Sequence, residues 1–567
     1  MNDIESNPKL KTALMALVLL VAAFLRFAHL DGTPLGDAEA QLALAARDVS
    51  VGVSPTIGVS SIYIPLTGAL FWLFSASEFV ARLLPAMAGL LLVALPWLFR
   101  NKIGTLQALA LSLFFALDPG LVNISRTVNP VILPMAGFGL LMYAISEEKP
   151  SLAGFSFAFF ALAGPQTWLL ALGVVIVLLL EKIAFRQDHF WLAQNLIIEN
   201  WRSFLVGLFL PFAALALATF VNPLSAGVSI PFASLKQFVM GLTQSSAVPP
   251  QLPWITLVMY EGFAVLVFFF GLGWVIRSSG QYRWLLVLSA LMMAISVALP
   301  NRTTEGIVWL TPALLLAGAF FVVDFYSKPS EHVREILGMF AFSFVLLVFI
   351  TLNYLSLSMA VLDPATIQLR WTVLIGSFTM MAASLVLVTY GWNFEIAWKG
   401  IVSGLLLFTF LLNLSSVWTT AHLRPMVTQE LWNGPELVYP EQTLQKQLAD
   451  LSMWNGMELA LDRITLVGID SPSVVWGLRN KAVTQVPSLT TPDELGPVVL
   501  TQTGITSGVL NENYRGQDIV WSAQTLYDSL TVSDWMRWSV LHGFPGLETK
   551  YTLWIRADKF IDRQNIQ

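Results

Sequence analysis

Two acids, Asp37 and Glu39, stand two residues apart in the stretch PLGDAEAQLALAAR at 34–47, directly after an apolar run from about Leu10 to Leu30. That run is long enough to cross a bilayer. Carboxylates in water at the mouth of a span can accept a proton or a hydrogen bond, the chemistry of a site. They also suit the first turn of a surface helix, where the helix dipole favours negative charge. A third acid, Glu261 in MYEGFAVLV, lies near the end of a later apolar run. An ionisable group at membrane depth marks a functional site unless it snorkels to the surface.

The elements that hold these residues are membrane helices. The chain has 567 residues, 56% hydrophobic and only 12% charged, with apolar runs recurring to about residue 420. Only helices satisfy the backbone in lipid over such runs. About thirteen spans fit, at 11–29, 83–99, 105–121, 131–146, 151–164, 166–183, 203–221, 254–275, 284–300, 306–324, 335–357, 370–391 and 399–418. Gly164-Pro165 is a natural hairpin break between two of them. There is no cysteine, which excludes disulfides, thiolate chemistry and Cys-ligated metal. The five histidines, at 29, 189, 332, 422 and 542, form no ligand spacing, and a net charge of −5 suggests no nucleic-acid partner. MNDIESNPKLK lacks a small-residue cleavage site, so the first run reads as a retained span.

Lysine and arginine set the orientation. Lys9, Lys11, Arg100, Lys102, Lys149, Lys182, Arg186, Arg202, Arg277, Arg283, Lys328, Arg334 and Lys399 fall on one side of this arrangement. The opposite loops carry Arg126, Lys236, Arg302 and Arg370. The positive-inside bias places the N-terminus in the cytoplasm and the C-terminal part outside a plasma membrane. This works only if IYIPLTGALFWLFS at 62–75 is not a span; it is short and contains a proline, as an interfacial or re-entrant helix would be. Residues 30–82 then form one long outer loop with its own surface helices. A second outer loop, 222–253, is rich in Ser, Pro and Gly and reads as a lid over a site.

Beyond Trp418 the composition turns ordinary. ITLVGID, AVTQVPS, PVVLTQT, DIVWSA and TKYTLWIRAD read as strands, EQTLQKQLADLSMWN as a helix, and Asp470-Ser471-Pro472 as a capped helix start. The chain thus divides into a polytopic helical membrane domain, 1–420, and a small extracytoplasmic α/β domain, 421–567.

Four segments in order resemble the GT-C glycosyltransferase superfamily, in the branch of protein O-mannosyltransferases and the lipid A aminoarabinose transferase. They are GDAEAQLALAAR after the first span, the short segment IYIPLTGALFWLFS, the helix SEFVARLLPAMAGLLLVALPWLF, and LDPGLVNISRTVNP with its Ser125-Arg126. The resemblance covers residues 10–320 and implies the GT-C fold and a polyprenyl-phosphate sugar donor. Transfer would occur at the outer face, to a protein, lipid or glycan acceptor. It implies Asp37 or Glu39 as general base, and Arg126 and Arg82 as donor-phosphate contacts, with Ser125, Glu261 and Arg302 as further substrate-binding candidates. The family's acids are adjacent, whereas this chain reads Asp37-Ala38-Glu39. It shows no paired-carboxylate metal site, so metal independence is expected. Arg82, Arg126 and Arg302 also suit a juxtamembrane anchor. Two other readings stand beside transfer: a transporter or flippase of lipid-linked glycans, and a non-catalytic scaffold.

Overall fold

A computed structural model describes residues 7–180 (save 56 and 130), 198–277 (save 220–222 and 247) and 283–423 (save 301 and 360–363). In the C-terminal part it describes 430–433, 436–438, 444–450 (save 447), 463–488, 495–504, 510, 513–543 and 546–557. Over its described residues, each of the thirteen expected apolar segments is mainly helical. In order, the helices are α1 (Pro8–Phe27), α2 (Asp37–Ser50), α3 (Tyr63–Phe74), α4 (Glu78–Leu98), α5 (Thr105–Ala116), α6 (Pro119–Arg126), α7 (Ile132–Ser146), α8 (Pro150–Leu162) and α9 (Gln166–Leu180). They continue with α10 (Trp201–Thr219), α11 (Pro223–Gly241), α12 (Leu252–Tyr260), α13 (Gly262–Arg277), α14 (Arg283–Ala298), α15 (Thr311–Ser327), α16 (Val333–Met359), α17 (Pro364–Gly391) and α18 (Phe394–Thr420).

Six helical stretches are long and apolar enough to cross a membrane, and eight if each of two bent pairs counts as one span. The bent pairs are α5 with α6, at 58°, and α12 with the Gly262–Gly273 part of α13, at 80°. In both, hydropathy runs on through the break. At Asp118-Pro119 the ladder is interrupted, because a proline lacks the N–H that the ladder needs and Asp118 draws the Leu121 N–H to its side chain. The second pair bends at Glu261-Gly262. Helix α3 is the short segment anticipated at 62–75. The expected lid at 222–253 is different: 223–241 is the regular helix α11, with Pro231 inside it. Membrane helices tolerate an internal proline, and the apolar middle of this segment outweighs its turn-forming residues.

The C-terminal part is a six-stranded mixed sheet in the order β1-β5-β6-β4-β2-β3. Its strands are β1 (Glu436–Val438), β2 (Arg463–Val467), β3 (Ala482–Val486), β4 (Val498–Gln502), β5 (Tyr514–Thr525) and β6 (Gly546–Arg556). The five strand readings from sequence all fall on strands. β2 pairs in parallel with β3 and β4, with helix α19 (Pro472–Gly477) in the β2–β3 crossover, and the other pairings are antiparallel. Of the helix expected at 441–455, residues 444–446 and 448–450 are helical and the others lie outside the described residues. Trp521, Leu553, Ile464 and Leu500 belong to a core within this part. Trp432, Trp476 and Trp538 instead bury themselves in the core of the helical bundle. Trp476 packs on Phe71 with ring centroids 5.8 Å apart and donates to Glu78 at 2.9 Å, and Glu78 also pairs with Arg479 at 2.9 Å.

Candidate functional site

A helix ends with carbonyls that no longer have an intrahelical partner, and arginine is suited to collect several at once. Three buried arginines do this at one end of the bundle. Arg126, the last residue of α6, closes the end of α1. Its Nη1 donates to the carbonyls of Leu25 at 2.9 Å and Ala28 at 2.8 Å, and its Nη2 to that of His29 at 2.9 Å. Arg26 closes the end of α5, donating to Ala116 at 3.3 Å and Phe115 at 3.0 Å. Arg82 gathers the loop between α1 and α2 through the carbonyls of Leu30, Thr33 and Pro34.

Arg82 also pairs with Glu39, Nη2 to Oε2 at 2.8 Å and Nε to Oε1 at 3.3 Å. The backbone N–H of Val128 donates to the same Oε1 at 2.6 Å. Both oxygens of Glu39 are therefore engaged. Asp37, two residues back and on another face of α2, turns to the C-terminal part. Its Oδ1 accepts from the Ser471 hydroxyl at 2.8 Å and the Ser473 N–H at 2.9 Å. Among the described residues its Oδ2 accepts no hydrogen bond. Ser471, expected to cap α19, gives its hydroxyl to this acid and makes no side-chain cap.

His422, two residues beyond α18, adopts a left-handed backbone, φ 52°. Its imidazole lies in the field of Arg126, Glu430, Arg82 and Glu39, and is held down to about 4, first by burial and then by Arg126. It is thus neutral near pH 7. Glu305, on a 3₁₀ turn over Thr304–Trp309, is close enough to Glu39 for their charges to interact. Beside this cluster runs an apolar groove of about 450 Å³ between α1 and α18, lined by Leu20, Phe24, Leu25, Leu117, Val417 and Trp418. Leu25 belongs to both: its side chain lines the groove and its carbonyl binds Arg126.

The other expected residues lie apart. Ser125 is fully buried, donates to the Leu121 carbonyl and packs against Gly89, where any side chain would collide with it. Glu261 sits in the break between α12 and α13. Its Oε1 accepts from the Gly120 N–H at 3.2 Å, and its side chain hydrogen-bonds Asp118, which caps α6 through Leu121 N–H at 2.8 Å. A Cβ on Gly120 would stand 2.7 Å from Glu261 Oε1 and 3.0 Å from the Trp432 ring, so any side chain there would push the acid from its place. The two broken helices thus meet at their breaks. Trp432 covers the junction, and the neighbouring Tyr260 donates to Glu430. Arg302 lies in a second, polar pocket of about 360 Å³, shared with residues 524–528 of the C-terminal part. Glu39, Arg82, Arg126 and His422 therefore converge, whereas Ser125, Glu261 and Arg302 do not join them. Sequence reading missed His422, Arg26, Asp118 and Glu430. The signal for Asp118 was an acid beside Pro-Gly inside an apolar run; His422 gave none. Among the described residues no group of three or more His, Asp or Glu side chains is arranged to hold a metal ion.

No protein-family model and no curated protein matches the chain. Solved structures do, among them ArnT from Cupriavidus metallidurans bound to undecaprenyl phosphate (12% identity, TM-score 0.52, covering 87% of this chain and 93% of that one), and the same protein in the apo state (12% identity, TM-score 0.52, covering 97% and 99%). At that identity the likeness concerns the fold alone: this chain shares the helical architecture of ArnT, with six to eight stretches long and apolar enough to cross a membrane.

Proposed function

We propose that the protein is a membrane glycosyltransferase that moves a sugar from a polyprenyl-phosphate carrier to an acceptor hydroxyl on the extracytoplasmic side. The observation that carries this reading is the adjacency of the apolar groove to Arg126, in a fold shared with a structure that binds undecaprenyl phosphate. A prenyl chain in the groove removes apolar surface from competition with lipid and brings its phosphate to the Arg126 end. There the guanidinium stabilises the charge that grows on the phosphate as the glycosidic bond breaks. Arg126 Nε has no hydrogen-bond partner among the described residues and is the donor left for this task. Arg82 has its donors taken up by Glu39 and four loop acceptors, which fits a positioning residue for Glu39 better than a phosphate contact.

Of the two acids, Asp37 is the better base. One oxygen is oriented by Ser471 and Ser473, and the other is open to take the acceptor's proton as its oxygen attacks the anomeric carbon. Purified protein in detergent, given a polyprenyl-phosphate sugar and a membrane extract as acceptor source, should release polyprenyl phosphate. Asp37→Asn should lower that turnover by about 10²–10⁴-fold. Movement of the lipid-linked sugar across sealed vesicles with no turnover in detergent would replace transfer by flipping.

A further inference from the structure

The second pocket is a candidate site that the transfer reading does not use. One wall is the outer turn of the bundle, with Ser246, Pro249, Pro250, Gln251 and Arg302; the other is the end of β5 and the turn after it, with Gln524 and Asp528. Its volume of about 360 Å³ lies within the range of small-ligand sites. The wall on the bundle side is fixed. Ser246 donates to the Arg302 carbonyl at 2.6 Å and takes the Pro300 carbonyl with its own N–H at 2.9 Å, while Arg302 Nη1 reaches the Val248 carbonyl at 3.3 Å. Arg302 Nε is buried without a hydrogen-bond partner, and among the described residues Arg302 forms no salt bridge. The polar lining therefore offers one cation, one carboxylate, two amides and the hydroxyl residues Ser246, Thr525 and Tyr527, beside a proline pair.

We infer that this pocket binds a neutral sugar or polyol unit of the acceptor. The balance of one arginine against one aspartate attracts neither an anion nor a cation. Hydroxyls are both donors and acceptors, and so match a set containing both. The proline pair gives the apolar face on which a ring's C–H groups can lie. The pocket is also near the cluster: Arg302 in its wall is three residues, at most about 11 Å along the chain, from Glu305, whose carboxyl lies within the field of Glu39. An acceptor glycan held at Arg302 and Asp528 can thus extend toward Glu39 and Asp37. This inference rests on the transfer reading for its purpose, but not for its binding.

The experiment is saturation-transfer NMR on the full chain in detergent with glucose, mannose, N-acetylglucosamine and glycerol, and with glycine and glycerol phosphate as charged probes. At least one neutral probe should give a contact signal. The paired change Asp528→Asn with Gln524→Ala should weaken it about fivefold or more, the effect of one or two lost hydrogen bonds. Asp37→Asn should leave it intact while abolishing donor turnover. Unfolding temperatures of each variant show that the fold is kept. A signal only from charged probes, none at all, or one untouched by the paired change would overturn the inference. Sugar binding lost in the paired variant, in a protein that turns over no donor, would leave the pocket standing and remove the transfer reading.

Discussion

Helix α6 has eight residues and is about 12 Å long, yet its two ends treat buried charge in opposite ways. At the first end Asp118 caps the helix, Glu261 takes the Gly120 N–H and bonds Asp118, and Trp432 closes over them. Two carboxyl groups can share a hydrogen bond only if one carries a proton, and here they do so under an indole, in a covered clasp between two broken helices. At the other end Arg126 binds three carbonyls but keeps one donor without a partner, beside a neutral imidazole and an open groove. Burying an ionisable group is expensive at both ends. The difference is what adjoins each end: a covering indole at the clasp, an open apolar groove at the cluster. Chemistry is expected where a buried charge borders open space.

The sharpest way to break that contrast is at Arg126. Arg126→Ala should lower donor turnover by about 10²–10³-fold, as for the loss of one preorganised donor to a developing anion. Arg126→Lys should recover part of the loss, because charge returns without the fork. Initial rates over a range of donor concentrations would show it. Turnover within a few-fold of wild type in Arg126→Ala would make this arginine a helix cap and nothing more. A smaller effect is expected in the groove. Leu117→Trp fills the space beside Arg126 and should raise KM for a long-chain donor by about tenfold with kcat kept, the pattern of lost uniform binding. A water-soluble short-chain donor should be indifferent to it.

At the clasp the expected effect is on stability rather than turnover. Glu261→Ala strands the Gly120 N–H and the Asp118 carboxyl and should destabilise by about 1–3 kcal/mol for each group left unpaired. Glu261→Gln can still accept from Gly120 and hydrogen-bond Asp118, and should unfold near the wild-type temperature. Equal damage from both would mean that the negative charge, and not the hydrogen bonds, holds the junction.

How far the sequence reached follows from the same contrast. Local signals carried the span segments, the strands, the short helix at 62–75 and the break at Gly164-Pro165, since periodicity, proline and glycine act within a few residues. The acidic pair was legible as a pair, but its divergence was not. Glu39 meets Arg82 and Val128, 43 and 89 residues away, and Asp37 meets Ser471, 434 residues away. The residues that converge come from α2, α4, α6 and the end of α18, and no spacing rule within a strip of sequence spans such distances. Hydropathy also hides a break, because Asp118 and Glu261 barely lower the average of the runs they interrupt. The reading of 222–253 as a loop was overturned over 223–241 for a related reason: Ser, Pro and Gly signal a turn in water, while in an apolar segment they remain helical.

The narrowest test, of a single imidazole, asks whether the cluster is closed from solvent. Burial and Arg126 hold His422 down to about 4 against an ordinary value of 6.5, with Arg82 adding to this and Glu430 and Glu39 opposing it. Between those values the unfolded chain binds a proton that folded His422 refuses, so this residue's contribution to stability is present above pH 6.5 and is lost as pH falls toward 4. His422→Gln cannot take up that proton in either state. Thermal unfolding in detergent at pH 7 and pH 4.5 should therefore show a larger fall for wild type than for His422→Gln, the difference belonging to this one imidazole. Parallel falls would mean that water reaches His422 freely, and the basic end of α6 would then be as solvated as any loop.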